Sequence, residues 1–173
     1  QIGIMALSAP DPRTGRTRVG VVNPLVGGSG GRASCDGVNA VDPRFGQTRN
    51  VPAEVIEADT VLRVHRLELV PDSQSAGRHQ GGAALLFEFE NSGFEALVTV
   101  RGMNRFHFRP WGFRGGECGR LGRATLNPGR DDEREMGKID VLRLQAGEVL
   151  RIVTSAGGGF GDPEVRQPRR DPM

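Results

Sequence analysis

The chain has 173 residues, 26 of them glycine, and a formal net charge of +2 at pH 7. This length suits one domain, and we predict a single domain over residues 1–173. Lys138 is the only lysine among 23 basic residues, which alternate with acids along the chain and so argue against a nucleic-acid-binding stripe. No stretch is apolar enough to span a membrane.

The cysteines and the first residue bear on where the protein works. Cys35 and Cys118 are too few and too far apart for a disulfide framework or a zinc knuckle. We therefore predict reduced thiols in a cytoplasmic protein. The chain starts at Gln1 rather than at a methionine, so we expect it to be a piece of something longer.

Glycine and proline interrupt the whole sequence, and no apolar periodicity extends beyond about ten residues. This pattern predicts a mainly β fold, a β-rich α+β architecture with short strands, Gly/Pro-rich turns and one short helix near residues 52–58. Residues 1–16 are predicted to be loop, and residues 17–23 a first strand. Pro52 suits the first turn of the helix, on which Glu54 and Glu57 would lie on one side.

Further strands are predicted after the helix. Residues 60–70 are rich in β-formers and end at Pro71. Residues 83–90 and 94–101 alternate apolar and polar side chains around the turn at 91–93, and we predict that they form a hairpin. The other predicted elements are strands at residues 121–126, 140–144 and 148–154 and a flexible tail at residues 164–173.

The densest glycine cluster lies at residues 27–32, Gly-Gly-Ser-Gly-Gly-Arg. Glycine is used where the backbone needs a positive φ or a close approach. No Gly-Lys-Ser/Thr follows, so the run is not a P-loop, and no helical pattern follows as a dinucleotide fingerprint requires. Two interpretations stay open: a structural crossing, or a ligand-facing loop whose amides form an anion-binding nest.

Histidine and tryptophan give few further signals. His65, His79 and His107 lack metal-ligand spacing, so no metal site is expected within this chain. His65 and His107 are predicted to be packing residues, whereas His79 lies on a glycine-rich turn and is a candidate site residue. Trp111 is predicted to be a core or interface anchor. No serine or cysteine has an obvious partner base, so nucleophilic catalysis has no support.

Several short blocks occur in a fixed order along the chain. They are GGSGGR at residues 27–32, DG at 36–37, NVPAEVIE at 50–57, LVPDS at 69–73, AGRHQGG at 76–82, RPWG at 109–112 and GGGFGDP at 157–163. Together they resemble the hydantoinase B/5-oxoprolinase family, whose B-type subunits are much longer. The chain resembles their C-terminal third, although Gln74 and Ser75 stand where the family tends to carry two glycines.

This resemblance implies one part of an ATP-dependent amidohydrolase that opens cyclic amides such as hydantoins or 5-oxoproline. ATP and Mg²⁺ would be bound by a hydantoinase A-like partner subunit, any divalent metal by the N-terminal portion of the B-type subunit, and no cofactor by this chain. The candidate catalytic residues are Glu54, as a proton-transfer group, and Asp36. The candidate substrate-binding residues are Arg32, Asn50 and His79. For each of them a structural hydrogen bond or ion pair is the alternative.

Two other functions stay open. Related complexes carboxylate ketones such as acetone or acetophenone, so the chain could belong to an ATP-dependent carboxylase. Alternatively, it is a non-catalytic assembly module whose arginines and Trp111 hold subunits together. The expected partners are the A-like subunit, the N-terminal portion of the B-type subunit and a small-molecule substrate, with no nucleic acid and no membrane. The isolated chain is expected to be inactive.

Overall fold

The computed structural model describes residues 2–11, 13–42 and 48–166. Two antiparallel sheets dominate this part of the chain, so the predicted mainly β fold is confirmed. The elements are, in chain order, strands β1 (Ile2–Pro10), β2 (Thr17–Val26), β3 (Val41–Asp42) and β4 (Thr48–Arg49), helix α1 (Ala53–Asp59), strands β5 (Leu62–Leu69), β6 (Leu85–Asn91) and β7 (Ala96–Arg101), a 3-10 turn at Met103–Phe106, strands β8 (Arg123–Leu126), β9 (Arg134–Glu135), β10 (Leu142–Leu144) and β11 (Val149–Val153), and a 3-10 turn at Pro163–Val165.

One hydrophobic core lies between the two large sheets. The four-stranded sheet has the order β10-β7-β1-β2, and the five-stranded sheet has the order β5-β6-β11-β8-β9. Alternate side chains of each strand point to the same face, and on β1 and β7 the buried face carries Met5 and Val98. Phe87 and Leu150 of the other sheet belong to the same buried cluster. The sheets therefore form a sandwich with its apolar faces inward.

Helix α1 begins after Pro52, as predicted. The Pro52 carbonyl accepts hydrogen bonds from the backbone N–H groups of Val55 and Ile56. Ile56 is 3% exposed and fixes the helix to the core. The helix ends at Asp59 and is followed by Thr60, whose backbone is extended and whose hydroxyl donates to the Ile56 carbonyl at 2.6 Å.

The prediction of loop for residues 1–16 is wrong for most of that segment. Strand β1 lies inside the four-stranded sheet, between β2 and β7. Its buried positions alternate as Met5, Leu7 and Ala9. Because the intervening residues include small ones such as Ala6 and Ser8, the period-two signal is weak in the sequence. Strand β1 is stabilised instead by pairing with two strands, one of which is distant in the sequence.

The predicted hairpin of residues 83–90 and 94–101 is also wrong. Both strands exist, but β6 pairs with β5 and β11, whereas β7 pairs with β1 and β10. The turn between them is a crossover from one sheet to the other. Asn91 is fully buried there, and its side-chain amide donates to the carbonyls of Phe94 and Leu144.

The glycine-rich segments pack side by side into one layer, which we call the glycine bundle (residues 27–31, 36–39, 75–83, 111–119 and 155–161). Gly31 N–H donates to the Gly158 carbonyl at 2.8 Å, and Gly157 N–H donates to the Gly82 carbonyl at 2.9 Å. A Cβ atom on Gly157 would lie 1.8 Å from the Ser29 carbonyl oxygen. Glycine is therefore required for close backbone approach, and residues 27–31 do form a structural crossing; whether the loop also faces a ligand stays a prediction.

The aromatic segment after β7 lies largely at the surface. Trp111 is 82% exposed, and Phe108 and Phe113 are 68% and 63% exposed. His107 is exposed as well. The predictions of a core role for Trp111 and a packing role for His107 are wrong, because this loop is held by its backbone, as in the bond from Phe113 N–H to the Gly159 carbonyl.

Candidate functional site

The candidate site is centred on the carboxylate of Asp36, in the loop that follows the first glycine run. Asp36 Oδ1 accepts from the backbone N–H of Gln80 at 2.8 Å and from Arg166 Nη1 at 2.9 Å. Arg166 Nη2 donates to Oδ2 at 3.0 Å, which makes the ion pair bidentate. His79 Nδ1 lies 3.8 Å from Oδ1. Two predicted site residues, Asp36 and His79, are thus neighbours. We call them, with Gln80 and Arg166, the Asp36 cluster.

Arg166 is not among the predicted site residues, because the sequence assigns residues 164–173 to a flexible tail. Asp162 caps the 3-10 turn at Pro163–Val165, with its carboxylate accepting from Glu164 N–H at 2.9 Å. This turn precedes Arg166 and its ion pair. An Asp-Pro-Glu sequence is typical of a capped helical turn and could have given the signal. The rest of the predicted tail, residues 167–173, lies outside the described residues.

The electrostatics of the cluster keep Asp36 ionised. The hydrogen bonds from Arg166 lower the pKa of Asp36 below its usual 3.8, and partial burial opposes this effect. The bond from Gln80 N–H and the charges of Arg166 and His79 lower the pKa further. A carboxylate held in this way is a weak base near neutral pH.

Asn50 contacts the residues that flank two segments of the glycine bundle, and its side-chain amide is hydrogen-bonded within the chain. Its Oδ1 accepts from Val26 N–H at 2.7 Å, and its Nδ2 donates to the carbonyls of Val26 and Ala40 at 3.2 and 3.1 Å. These bonds join the end of β2 to the segment that follows Asp36. The contacts of Asn50 are those of a residue that positions the loop.

Arg32 and Glu54 both lie at the surface. Arg32 is exposed at the start of the loop and contacts the chain through its backbone N–H, which donates to the Cys35 carbonyl. Glu54 is exposed in the first turn of α1. Within the described part of the chain, no hydrogen bond or ion pair joins either side chain to the Asp36 cluster. Glu57, by contrast, accepts from Val64 N–H at 2.7 Å.

The remaining polar groups give little sign of a metal centre. Among residues 2–11, 13–42 and 48–166, no group of three or more His, Cys, Asp or Glu side chains is placed to hold a metal ion. In the same ranges no helix is long and apolar enough to cross a membrane. Cys35 and Cys118 are both free and exposed. His65, predicted to pack, instead lies 3.1 Å from the Glu90 carboxylate.

Comparison with known proteins gives the family of this chain. A sequence model of the family described as hydantoinase B/oxoprolinase matches residues 1–163. The chain therefore belongs to the hydantoinase B/oxoprolinase family, as the ordered blocks predict.

Three relatives illustrate the range of the family. The chain is 31% identical over 148 residues to a protein of Pseudomonas sp. (strain NS671) named as the putative B-type subunit of a D-/L-hydantoinase, covering 84% of this chain and 25% of that protein. It is 30% identical to 5-oxoprolinase 1 of Arabidopsis thaliana, over 82% of this chain and 11% of that protein. It is 28% identical to the beta subunit of caprolactamase from Pseudomonas jessenii, over 86% of this chain and 26% of that protein. The chain thus spans about a quarter or less of these relatives.

Two solved structures share the fold. The ATP-dependent caprolactamase of Pseudomonas jessenii matches with a TM-score of 0.70 and 24% identity, over 94% of this chain and 29% of that one. A nucleotide-free acetone carboxylase matches with a TM-score of 0.76 and 15% identity, over 96% of this chain and 26% of that one. At these identities the likeness concerns the fold alone.

Proposed function

We propose that this chain is the C-terminal part of a B-type subunit in an ATP-dependent amidohydrolase that opens cyclic amides. The observation that carries the proposal is the similarity to relatives named for hydantoin, 5-oxoproline and caprolactam, at 28–31% identity. Because the chain spans about a quarter or less of these relatives, the activity is assigned to the assembled protein. The isolated chain is expected to be inactive.

We assign ATP and Mg²⁺ to a hydantoinase A-like partner subunit, and any divalent metal to the N-terminal portion of the B-type subunit. ATP use is supported by the fold shared with a caprolactamase described as ATP-dependent. The sequence has no Gly-Lys-Ser/Thr motif to cradle nucleotide phosphates. An ATP-using complex with free, exposed cysteines fits the cytoplasm.

Two segments of this chain are assigned to the active site that it shares with its partners. They are the loop that carries the Asp36 cluster and the start of α1. Asp36 forms an ion pair with Arg166 and accepts a hydrogen bond from Gln80 N–H, and these contacts hold the loop in place. They also keep a negative charge beside His79. The exposed side chains of Arg32 and Glu54 have no partner in the described chain and remain available to substrate. Glu54 is assigned to proton transfer, and Asn50 to positioning.

Activity of the native complex tests the proposal directly. The complex would be purified from its natural source and supplied with ATP, Mg²⁺ and one of 5-oxoproline, hydantoin or caprolactam. We expect ring opening of at least one of these amides, with stoichiometric ADP formation. Absence of ring opening with all three, in a complex that hydrolyses ATP when given acetone and bicarbonate, would reject the hydrolase assignment.

That second outcome defines the alternative function, an ATP-dependent ketone carboxylase. The observation that favours it is the fold shared with acetone carboxylase, which has the higher TM-score of the two structures. The sequence relatives favour the hydrolase, because identity to acetone carboxylase is 15%. The assay with acetone and bicarbonate distinguishes carboxylation from ring opening.

Glu54→Gln in the intact complex tests the assigned proton transfer. We expect a decrease in kcat of at least about 100-fold, since a general acid or base contributes roughly 10² to 10⁴. Glu57→Gln is the matched control on the same helix, because its carboxylate accepts from Val64 N–H. It should change stability and leave kcat unchanged. Full activity of the Glu54→Gln complex would remove Glu54 from the mechanism.

A further inference from the structure

A cavity separate from the Asp36 cluster lies at one end of the five-stranded sheet. It has a volume of about 200 Å³ and is lined by Val70, Ser73, Ala84, Arg120, Leu121, Arg123, Val153 and Thr154. Here β5 and β11 end while β6 and β8 begin, and these four strands are adjacent in the sheet. None of the lining residues belongs to the Asp36 cluster.

Part of the wall of this cavity is apolar. Ala84 and Val153 are buried, and together with the partly buried Val70 they form a small hydrophobic cluster outside the main core. The two hydroxyls in the wall are already occupied within the chain. Ser73 Oγ donates to the Val70 carbonyl and accepts from Ala84 N–H, and Thr154 Oγ1 accepts from Leu85 N–H.

The positive charge comes from Arg120 and Arg123, both exposed. Arg123 lies on β8 opposite Val153, on the face of the sheet that also carries Arg151 and Arg66. On that face Arg151 donates to the Glu88 carboxylate, and Arg66 pairs with Glu68. In the described chain no carboxylate forms an ion pair with Arg120 or Arg123.

The loop that carries Arg120 is anchored at both sides. Gly119 N–H donates to the Pro110 carbonyl at 2.8 Å, and Gly122 N–H donates to the Arg105 carbonyl at 3.0 Å. A Cβ atom on Gly122 would meet the Phe106 ring at 2.6 Å, so the loop packs closely on that ring. Binding at this rim therefore requires little ordering of the backbone.

We propose that this cavity binds a short aliphatic carboxylate, with the carboxylate on Arg120 and Arg123 and the hydrocarbon chain against Val70, Ala84 and Val153. Guanidinium groups suit a carboxylate because they offer donors in a planar fork. The cavity volume corresponds to roughly six or seven water molecules, which matches a chain of about five carbons. Such a group could come from a free small molecule or from a glutamate side chain of a partner protein.

The test is a titration of the 173-residue chain, followed by NMR of its backbone amides. Valerate should bind saturably, with a dissociation constant on the order of 1 mM. The shifts should be largest at Ala84 and Thr154. Pentanamide, the neutral equivalent, and acetate, which lacks the chain, should each bind at least about tenfold more weakly.

Variants of the arginines make the test specific. Arg120→Gln combined with Arg123→Gln should weaken valerate binding at least about tenfold, and Leu121→Ala should weaken valerate binding without affecting acetate. Arg49→Gln is the control, because Arg49 is exposed and lies outside the cavity lining. Circular dichroism of each variant verifies folding.

Each result of the titration has a distinct meaning. Valerate binding that survives loss of both arginines in a folded protein overturns the proposal. Equal binding of valerate, acetate and inorganic phosphate also overturns it, because that result would show a general attraction of anions. Specific valerate binding supports it. In that case a blocked glutamate, N-acetyl-glutamate amide, identifies the source. Tighter binding than valerate points to a partner's side chain, and weaker binding points to a free ligand.

Discussion

Asp36 is the residue that contacts the other members of the Asp36 cluster. Its carboxylate receives donors from Gln80 and from Arg166, which is 130 residues away in sequence. The Asp36 side chain is 31% exposed, so the pair stabilises the fold only modestly. Its main effect is to fix the loop and the charge beside His79.

Asp36→Asn should lower the free energy of unfolding at pH 7 by about 1 kcal/mol, because it removes a bidentate but partly solvated ion pair. The pKa of Asp36 is lower in the folded state than the usual 3.8, so this contribution is present above the unfolded pKa and is lost as the pH falls through the folded pKa. Urea unfolding at several pH values should therefore show a constant difference from the parent protein above about pH 5 and convergence in stronger acid.

Asp131→Asn is the control for this measurement, because Asp131 is exposed and makes no hydrogen bond or ion pair within the described chain. It should leave stability almost unchanged throughout. A difference for Asp36→Asn that persists unaltered in strong acid would show that shape, rather than charge, gives Asp36 its effect.

Asn91 is a second residue with a role that reaches beyond its own strand. Its side chain donates to the carbonyls of Phe94 and Leu144, and its backbone N–H donates to the Glu148 carbonyl. It therefore joins two crossovers between the sheets, β6 to β7 and β10 to β11. The buried carbonyl of Leu144 would lose its side-chain donor if the amide were removed.

Asn91→Ala should cost about 3 kcal/mol of unfolding free energy, since it deletes buried hydrogen bonds and leaves their partners unpaired. Chemical denaturation measures this directly. Asn104→Ala, at an exposed position, is the control and should change stability by less than about 0.5 kcal/mol. Equal effects of the two substitutions would contradict the role assigned to Asn91.

At the scale of elements, the glycine bundle decides how the site loops are held. Gly28 and Gly82 approach so closely that a Cβ atom on Gly28 would lie 1.9 Å from the Gly82 carbonyl oxygen. Gly30, two residues away, has its nearest such neighbour at 3.6 Å, an ordinary contact. The bundle thus contains both required and replaceable glycines.

This difference predicts opposite results for two similar substitutions. Gly28→Ala should destabilise the protein by more than about 3 kcal/mol, or prevent folding, because backbone would have to move. Gly30→Ala should stay within about 0.5 kcal/mol of the parent protein. Thermal unfolding of both variants distinguishes the cases. A folded, stable Gly28→Ala protein would mean that the backbones of the bundle are not in close contact.

The sequence predicts a helix or strand well where a local signal exists. It predicts poorly which strands pair, because pairing joins residues that are far apart in the sequence. Pro52 marks the helix because proline fits a first helical turn, and the alternation of residues 83–90 marks a strand. Which strand pairs with which depends on Asn91, whose burial only the tertiary structure shows. The candidate site shows the same limit. His79 and Asp36 can be picked out in the sequence as polar residues beside glycines. Arg166 cannot, because it contacts Asp36 from the far end of the chain.

At the scale of the whole molecule, the exposed aromatic loop indicates a contact surface. Trp111, Phe108 and Phe113 are each more than 60% exposed on a loop anchored to the glycine bundle. Exposed tryptophan among arginines is typical of protein–protein interfaces. We therefore expect Trp111 to contact another part of the complex, as the assembly hypothesis states.

Trp111→Ala should leave the stability of the chain within about 0.5 kcal/mol and weaken assembly with its partner chains at least about tenfold. Phe94→Ala, at another exposed aromatic 56% accessible, is the matched control. Affinity between purified components, measured by calorimetry, gives the comparison. Unchanged assembly of the Trp111 variant would assign the surface to something other than subunit contact.

The central claim is that this chain works as one part of an ATP-dependent cyclic-amide hydrolase. The most direct test is the intact mass and subunit content of the material purified from its natural source. We predict that the chain is recovered together with the N-terminal portion of a B-type subunit and with an A-like, ATP-binding subunit. Recovery of a stable 18.6 kDa chain alone would contradict this claim.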